Sequence, residues 1–318
     1  MDYIYNEIKK YGKVKANESL AKHCSFKVGG IAKYFISVNN IKFLEELLKF
    51  LDAEGIKYII IGGGTNLLFS DNDFEGVVIF NACNAKEISV EDPEVLIVES
   101  GCLNSEIAQF ALKNSLSGFE WGIGVPGTIG GAVRGNAGLP EAEIKDSLQK
   151  VLVYENGEIL EYDSAACVFS YRNSIFKKNK AIILQAWLKL KKTDGSVIQK
   201  KTFDLLSKRT NSQPQGFPTA GCTFKNVSID FFSEEVLDLI PQNFVESGKV
   251  PAGWLIDSCG LKDFTVGGAK VSDKHANFIL NFSSAKAIDI LNLIEQIKEK
   301  VYNKYKVLLE EEIQLINF

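Results

Sequence analysis

Three residues of this sequence have types and positions that favour chemistry: Arg172, Cys222 and Glu312. Arg172 lies among aromatic and aliphatic residues in the segment 169–176. A guanidinium buried in such surroundings needs an anionic partner. An arginine can also extend along apolar neighbours to reach water, and the segment alone leaves both interpretations open.

Cys222 and Glu312 each have an ordinary interpretation as well. Cysteines are more often inert core residues than catalysts, but Cys222 follows a Pro/Gly-rich stretch and is flanked by Gly221 and Lys225, which is an unusual place for a packing residue. Glu312 ends a run of three glutamates in an apolar C-terminal segment. Such a run is usually a solvated edge, yet the alternation of a strand would turn neighbouring glutamates to opposite faces.

Two glycine-rich stretches predict a ligand cradle. Residues 118–138 contain eight glycines, a density that argues against an ordinary helix and favours close approach of another group to the backbone. Residues 61–68 follow a run of β-forming residues. Three consecutive glycines near the start of this segment end that run. Backbone N–H groups at such a strand end suit an anion such as a pyrophosphate. The alternative is a pair of tight turns, and the glycine spacing does not match a Rossmann fingerprint.

The elements that must position these residues begin with a β-α-β unit. Residues 33–38 predict a strand, residues 41–54 an amphipathic helix capped by Asn39 or Asn40 and ended by Gly55, and a second strand runs into Gly62. Further predicted strands are 77–80, 95–99, 151–154, 159–162 and 181–190, with a type I′ hairpin turn at Asn156-Gly157. A helix at 105–115 directly precedes the longer glycine-rich stretch.

A second unit is predicted after a helix at 198–209 and a Pro/Gly-rich border at 210–221. Helices are expected near 231–239 and at 252–258, a turn at Gly267-Gly268, and a strand at 276–281. A long helix should follow Ser284 as its cap. Its predicted buried face is Ile288, Leu291, Ile294, Ile297, Val301 and Tyr305. Residues 307–316 should form a closing strand.

Composition narrows the class of protein. The chain has 318 residues, 46% of them hydrophobic, and a net charge of −4 without a basic stripe, so nucleic-acid binding is not expected. Neither a signal peptide nor a membrane span is evident, and we expect a cytoplasmic protein. Six scattered cysteines and two histidines form no metal-binding pattern, so we expect reduced thiols and no metal.

Seven segments, two of them with a short continuation, together carry a resemblance to a known family: 25–30, 62–68, 124–133 with 136–138, 170–176, 220–226, 252–257 with 260–262, and 271–277. With these motifs in order, the sequence resembles the UDP-N-acetylenolpyruvoylglucosamine reductases, the MurB family of flavoenzymes, over nearly its whole length. About fifty residues separate Arg172 from Cys222. That spacing is similar to the shorter subclass, which lacks an extra substrate-covering insertion.

The resemblance implies an α+β fold, with a two-subdomain FAD-binding fold of the vanillyl-alcohol-oxidase (PCMH) type and a C-terminal α+β substrate domain. We expect residues 1–75 and 76–208 to be the two FAD-binding subdomains and residues 209–306 the substrate-binding domain. Residues 307–318 would then be a terminal strand that carries Glu312. A monomer is expected.

The resemblance also implies a reaction. NADPH reduces non-covalently bound FAD, and flavin N5 then delivers hydride to C3 of the enolpyruvyl group, giving UDP-N-acetylmuramate for peptidoglycan precursors. Negative charge spreads over C2 and the carboxylate, so a fixed cation or acid and a proton donor are needed. By motif position, Arg172 and Glu312 stabilise the enolic carboxylate and Cys222 protonates C2.

Binding residues follow from the same motifs. The implied FAD contacts are Ile61, Gly62, Gly63, Gly64, Thr65, Asn66, Leu67, Gly124, Val125, Pro126, Gly127, Thr128, Ile129, Gly131, Ala132, Arg134, Asn136 and Ala137. The implied substrate contacts are Tyr171, Lys225, Asn226 and Lys262, although Lys262 can equally be a surface lysine and His275 is expected to pack within its domain.

Three features depart from the family pattern. Cys222 stands where serine is usual, and a thiol, with a reference pKa of about 8.5, is a competent proton donor that oxidants can attack. Arg134-Gly135 and residues 139–142 also differ. Arg134 either faces the FAD pyrophosphate, which we favour, or pairs with Glu141 or Glu143.

Two other functions remain as alternatives. One is an oxidase of the same fold that carries covalently tethered FAD. The other is a non-catalytic flavin- or UDP-sugar-binding module.

Overall fold

The structure is a computed structural model that describes residues 3–318. In this part of the chain the α-helices are α1 (Tyr3–Ile8), α2 (Ile41–Ala53), α3 (Asn104–Lys113), α4 (Ile129–Gly135), α5 (Gly195–Ser212), α6 (Glu234–Leu237), α7 (Gln242–Glu246), α8 (Ala252–Ser258) and α9 (Ala287–Tyr305).

The strands are β1 (Lys13–Ser19), β2 (Ile31–Val38), β3 (Tyr58–Ile61), β4 (Leu67–Phe69), β5 (Phe74–Asn81), β6 (Lys86–Ile88), β7 (Val95–Glu99), β8 (Leu116–Ser117), β9 (Gly138–Leu139), β10 (Ala142–Glu143), β11 (Leu148–Glu155), β12 (Glu158–Asp163), β13 (Ile182–Lys189), β14 (Lys191–Lys192), β15 (Val227–Ser228), β16 (Lys249–Val250), β17 (Thr265–Val266), β18 (Ala269–Val271), β19 (Ile279–Asn281) and β20 (Gln314–Ile316). No helix within residues 3–318 combines the length and the apolar character that a membrane span requires.

The chain divides into two compact units. The first contains the chain up to Glu18, Ala32–Gly63 and Phe74–Arg209, and the second contains Ser19–Ile31, Gly64–Asp73 and Thr210–Phe318. Each unit therefore combines segments that are distant in sequence.

The first unit contains the predicted β-α-β element. Its first sheet has the order β1-β2-β5-β3, with β5 parallel to both β2 and β3. Helix α2 buries Leu44, Leu47, Leu48 and Leu51 in the core beside this sheet. The side chain of Asn40 accepts hydrogen bonds from the N–H groups of Lys42 and Phe43, which confirms the predicted cap.

A second, antiparallel sheet of the first unit has the order β12-β11-β13-β7-β6. The β11–β12 hairpin turns at Asn156 and Gly157, with φ values of 52° and 87°, so the type I′ prediction is confirmed. The predictions of a helix at 105–115 and of strands at 95–99 and 181–190 are also confirmed, with shifts of one or two residues at the ends.

The prediction that the longer glycine-rich stretch is not helical was wrong in its middle. Helix α4 lies within this stretch, and Ile129, Ala132 and Val133 are buried in the core of the first unit. Because these residues recur at helical spacing, their burial outweighs the low helix propensity of the glycines between them. The helix ends after seven residues at Asn136, whose φ is 43°.

The second unit has a three-stranded antiparallel sheet, β17-β18-β19, beside α9. The long helix was predicted correctly, but its cap was not. The helix begins at Ala287, and the carboxylate of Asp71 accepts hydrogen bonds from the N–H groups of Ala287 and Ile288. The predicted buried face was wrong at two positions, since Ile288 is exposed and Leu291 is only partly buried. The buried face is Ala287, Ile290, Leu293, Ile294, Ile297, Val301 and Tyr305.

Three other predictions in the second unit need correction. The closing strand is only β20, because residues 310–312 pair with a different segment. The helix expected near 231–239 is the single turn α6. The strand expected at 276–281 is limited to β19 because residues 275–277 form a turn that bonds to Ser272 and to the segment 223–224. Helix α8 matches its prediction at both ends.

Candidate functional site

The two glycine-rich loops meet in the first unit. A Cβ atom at Gly62 would lie 2.2 Å from Oγ1 of the buried Thr128, so only glycine permits this approach. The N–H of Ile129 donates to the Cys102 carbonyl at 2.9 Å, which fixes the loop on its other side. The proposed cradle is therefore one continuous surface at this point.

The rest of the longer glycine-rich stretch is held by hydrogen bonds on one side, and two of its glycines have open surroundings. Buried Asn104 donates from its side chain to the Val125 carbonyl at 3.2 Å and from its backbone to the Gly127 carbonyl at 3.0 Å. Gly131 and Gly135 lie four residues apart on α4. A Cβ at Gly131 would have its nearest neighbour at 3.7 Å, and one at Gly135 would meet nothing within 4 Å. This open glycine face beside a well-supported loop fits a large, flat ligand such as a flavin.

The remainder of the shorter loop belongs to the second unit. Gly64 has a φ of 62°, and a Cβ there would lie 2.0 Å from the His23 carbonyl oxygen. The Gly64 carbonyl accepts a hydrogen bond from Ser25 N–H at 3.0 Å. The two motifs 25–30 and 62–68 therefore support each other.

Arg172 is held by the C-terminal end of the longer glycine-rich stretch. Its guanidinium donates to the carbonyl of Gly138 at 2.9 Å and to that of Asn136 at 3.4 Å, and it lies 3.8 Å from the Glu143 carboxylate. The side chain is 20% exposed, and its guanidinium carbon is 5.4 Å from the Tyr171 ring centre. Its backbone has a φ of 52°, which is uncommon for a residue other than glycine. A fixed cation results, close to the expected flavin-binding residues.

Asn136 and Glu143 organise this region. The fully buried Asn136 amide donates to Glu143 and to the Ser170 carbonyl, both at 3.0 Å, and its oxygen accepts from Lys145 N–H at 3.2 Å. Glu143 also forms an ion pair with Lys145 at 3.0 Å. Neither the role of Glu143 nor its contact with Arg172 followed from the sequence, because Glu143 lies outside the segments that carry the resemblance.

Arg134 bonds to the same motif from α4. Its guanidinium donates to the Phe176 carbonyl, and its own carbonyl accepts from Ser174 Oγ at 2.7 Å. Burial lowers the pKa of Arg134 from its usual value. These bonds join the segment 170–176 to α4.

Cys222 and Glu312 are brought together in the second unit. Phe224 pairs with Glu311 and Cys222 pairs with Phe278, both antiparallel, so the segment 222–225 lies between two others. Glu312 N–H donates to the Thr223 carbonyl at 2.8 Å, and Lys225 N–H donates to the Glu310 carbonyl at 2.9 Å. Cys222 is half-buried and directly precedes Thr223, whose carbonyl binds Glu312 N–H.

The glycine loop of this unit reaches the same place. The Asn66 side chain donates to the Glu312 carbonyl at 3.0 Å, and the Asn66 carbonyl accepts from Gln314 N–H at 2.9 Å. Strand β4, which follows the loop, pairs in parallel with β20. An expected flavin contact and two expected catalytic residues therefore share one hydrogen-bonded framework.

The expected substrate residues have varied surroundings. Lys225 forms an ion pair with exposed Glu310, and its side chain is 15% exposed. The Asn226 side chain accepts from Ala252 N–H at 3.2 Å, and partly exposed Lys262 pairs with Asp257 at 2.7 Å. Glu311 pairs instead with Lys298 at 2.9 Å. Glu310 and Glu311 thus form ion pairs with different lysines, whereas the bond of Glu312 to Thr223 is made by its backbone.

His275 packs within its unit, as expected. Its ring lies 4.8 Å from that of Phe278, and its Nδ1 accepts from Asn277 N–H at 3.3 Å. Burial lowers the pKa of His275 from its usual value, and the positive charge of Lys262 adds to this effect. Within residues 3–318, no group of three or more His, Cys, Asp or Glu side chains could hold a metal ion.

Comparison with known proteins gives two family matches. The family described as "UDP-N-acetylenolpyruvoylglucosamine reductase, C-terminal domain" matches residues 213–316, and the family described as "FAD binding domain" matches residues 32–163. These matches confirm the expected α+β fold class, with an FAD-binding domain followed by a C-terminal domain of this reductase.

Individual relatives match over nearly the whole chain. The UDP-N-acetylenolpyruvoylglucosamine reductase of Caldanaerobacter subterraneus is 39% identical over 98% of this chain and 96% of its own. That of Fervidobacterium nodosum is 39% identical over 94% and 90%. The crystal structure of the Thermus caldophilus reductase is similar with a TM-score of 0.77 and 29% identity, covering 96% of this chain and 100% of that one.

Proposed function

Because this chain belongs to the UDP-N-acetylenolpyruvoylglucosamine reductase family, we propose that it uses bound FAD and NADPH to reduce UDP-N-acetylenolpyruvoylglucosamine to UDP-N-acetylmuramate for peptidoglycan synthesis. One observation supports the assignment of roles most directly. Cys222 and Glu312, ninety positions apart, lie on paired segments beside the glycine loop that contains Asn66.

The glycine loops are proposed to hold the flavin. Gly62 closely approaches Thr128, and Gly131 and Gly135 leave one face of α4 open. When bound, FAD would supply two-electron chemistry, in which the electrons come from NADPH and leave as a hydride to C3 of the enolpyruvyl group. Since the hydride adds at C3, the substrate must also gain a proton at C2.

Cys222 is proposed to supply that proton from its thiol. As hydride reaches C3, negative charge develops over C2 and the carboxylate, and a positioned acid lowers the barrier to protonating C2. The thiolate left on Cys222 regains a proton from solvent before the next turnover, so each cycle consumes one hydride and one proton. Serine at this position would be a much weaker acid.

Arg172 and Glu312 are proposed to stabilise the developing charge on the substrate carboxylate. A guanidinium fixed in a partly buried site costs little reorganisation when charge appears next to it. Glu312 in its protonated form donates a hydrogen bond to the same carboxylate. Tyr171, Lys225, Asn226 and Lys262 are proposed to bind the substrate's phosphates and carboxylate, with the lysines as point charges.

Anaerobic spectroscopy tests this function. We expect the purified protein to show a flavin spectrum that NADPH bleaches and that the enolpyruvyl sugar nucleotide restores without oxygen. Failure of the sugar nucleotide to restore the colour would contradict the reductase assignment. Denaturation should release the flavin from the polypeptide, whereas retained colour would favour the oxidase. Absence of bleaching by NADPH would favour a non-catalytic binding module.

A cytoplasmic location and a monomeric state complete the proposal. Cell fractionation tests the location. Size-exclusion chromatography with light scattering tests the monomer, for which the sequence predicts a mass near 35.2 kDa.

A further inference from the structure

Asn277 provides unusual support for the segment that carries Cys222. Its side-chain oxygen accepts from Phe224 N–H at 2.9 Å, and its side-chain nitrogen donates to the Phe224 carbonyl at 2.8 Å. Its backbone carbonyl accepts from Thr223 N–H at 2.8 Å. A single residue, 3% exposed, thus satisfies three backbone groups that directly follow Cys222.

The chemistry of the amide explains why asparagine occupies this position. Phe224 presents one donor and one acceptor, so its partner must offer one acceptor and one donor at a fixed separation. The carboxamide does this, whereas an ionised aspartate would set a negative oxygen against the Phe224 carbonyl, and an alanine would leave two buried backbone groups unpaired. The orientation of the amide follows from these bonds.

The opposite side of the same segment bears the second expected catalytic residue. The Thr223 carbonyl accepts from Glu312 N–H at 2.8 Å, and Phe224 pairs with Glu311. Any displacement of residues 223–224 therefore moves both Cys222, which precedes them, and Glu312, which is bonded to them. Phe224 is 1% exposed, so the segment has no freedom to shift outward without opening the core.

We propose that Asn277 is a positioning residue that sets the placement of Cys222 relative to Glu312 through its two side-chain bonds to Phe224. This inference rests on the proposed function, because it assigns Asn277 a part in proton delivery by Cys222. Asn277 touches neither substrate nor flavin in this role. Its effect is confined to the step in which the reduced flavin is reoxidised by the enolpyruvyl group.

The test separates the two half-reactions in Asn277→Asp and Asn277→Ala. By rapid mixing, bleaching of the flavin by NADPH should stay within about twofold of the parent, while reoxidation by the sugar nucleotide should slow by about tenfold or more. The solvent deuterium isotope effect on reoxidation should also rise, because a misplaced thiol makes proton transfer more limiting. A merely structural role would lower the fraction of active protein and leave this isotope effect unchanged.

Asn281→Asp is the matched control. Asn281 lies in the same unit, and its side chain likewise donates to a carbonyl, that of Phe26 at 2.9 Å, and accepts an N–H, that of Ala285 at 2.8 Å. It makes no such bond to the segment 222–225. Both half-reactions and the isotope effect should match those of the parent in this variant.

Amide hydrogen exchange gives a readout that does not depend on turnover. In flavin-loaded protein, peptides covering residues 220–226 should lose protection in Asn277→Ala and keep it in Asn281→Asp. If Asn277→Asp does not retain flavin, Asn277→Ser brings a small hydroxyl without charge and takes its place. Normal reoxidation and an unchanged isotope effect in folded Asn277 variants would overturn the inference. Failure of the sugar nucleotide to reoxidise the parent would instead refute the proposed function.

Discussion

Arg172 and Cys222 are held in different ways. Arg172 has a left-handed backbone and is fixed through side-chain bonds to the carbonyls of Gly138 and Asn136 and a looser contact with Glu143. Cys222 lies on an extended segment whose neighbours are fixed through backbone pairing on both sides, and the Asn277 side chain adds to one side.

The two arrangements respond differently to substitution. Where backbone groups hold a segment, exchanging a side chain changes the chemistry and keeps the geometry, so we expect serine to replace Cys222 at little structural cost. Where side chains hold the site, as around Arg172, a substitution alters geometry and chemistry together. The strained backbone at Arg172 and Asn136 increases this sensitivity, because only the surrounding bonds maintain it.

The largest effect should come from Cys222→Ala. Removing the thiol removes the proposed proton donor, so reoxidation of the reduced flavin by substrate should fall by about 10³-fold, while bleaching by NADPH stays unchanged. Both rates are measured by anaerobic rapid mixing. Cys222→Ser is the matched control, since it keeps a hydroxyl on the same backbone and should retain much more of the reoxidation rate than alanine.

The comparison depends on this result. If Cys222→Ala turned over normally, the region around Cys222 would be a structural framework that does not perform the proposed proton transfer. If Cys222→Ala lost bound flavin as well, the side chain would matter for geometry, and the distinction from the Arg172 region would disappear.

The framework around Cys222 also shows how far sequence reasoning reaches. The β-α-β unit and helix α8 were predicted well because their apolar periodicity and capping residues are local signals. The closing strand was predicted poorly because residues 310–312 pair with residues 223–225, nearly ninety positions away. Hydrophobic alternation cannot reveal such a partner.

Long-range side chains explain the other differences. Helix α9 begins where the Asp71 carboxylate, more than two hundred residues earlier, accepts its first N–H groups, so the nearby Ser284 does not act as the cap. Motif positions placed Cys222 and Glu312 on segments that prove to be paired. The contact of Glu143 with Arg172 lay beyond the motifs and required the folded loop.

Asn136→Ala should give the next largest effect, on stability. The substitution removes three side-chain bonds in a fully buried site and places alanine at a left-handed φ, which together should lower the free energy of unfolding by about 3 kcal/mol. Thermal unfolding followed by circular dichroism measures this. Asn136→Gly removes the same bonds but tolerates the φ, so it should be less destabilised than alanine. Equal stability of Asn136→Ala and the parent would show that side chains do not hold this region.

Arg172→Lys should slow reoxidation by about 10²-fold, with little change in flavin content. Lysine keeps the charge but cannot reproduce the planar fork that binds the Gly138 and Asn136 carbonyls, so the cation loses its fixed position. The measurement is the same half-reaction used for Cys222→Ala. A reoxidation rate close to that of the parent would mean that charge alone suffices, which would remove the geometric contrast between the two regions.

The smallest effect concerns how the stability of the region around Cys222 depends on pH. Burial lowers the pKa of His275, so the folded protein binds a proton on this ring less readily than the unfolded chain does. The unfolded state therefore gains protons first as the pH falls below about 6.5, and the stability that the neutral ring provides is complete above that pH and decreases below it.

His275→Asn keeps an acceptor for Asn277 N–H without a titrating ring. Between pH 7.5 and 5.5 the Tm of the parent should fall further than that of His275→Asn, by about one or two degrees. An identical fall in both proteins would show that His275 is as easily protonated in the folded state as in the unfolded chain. In that case, the support that Asn277 receives from His275 would not weaken at low pH.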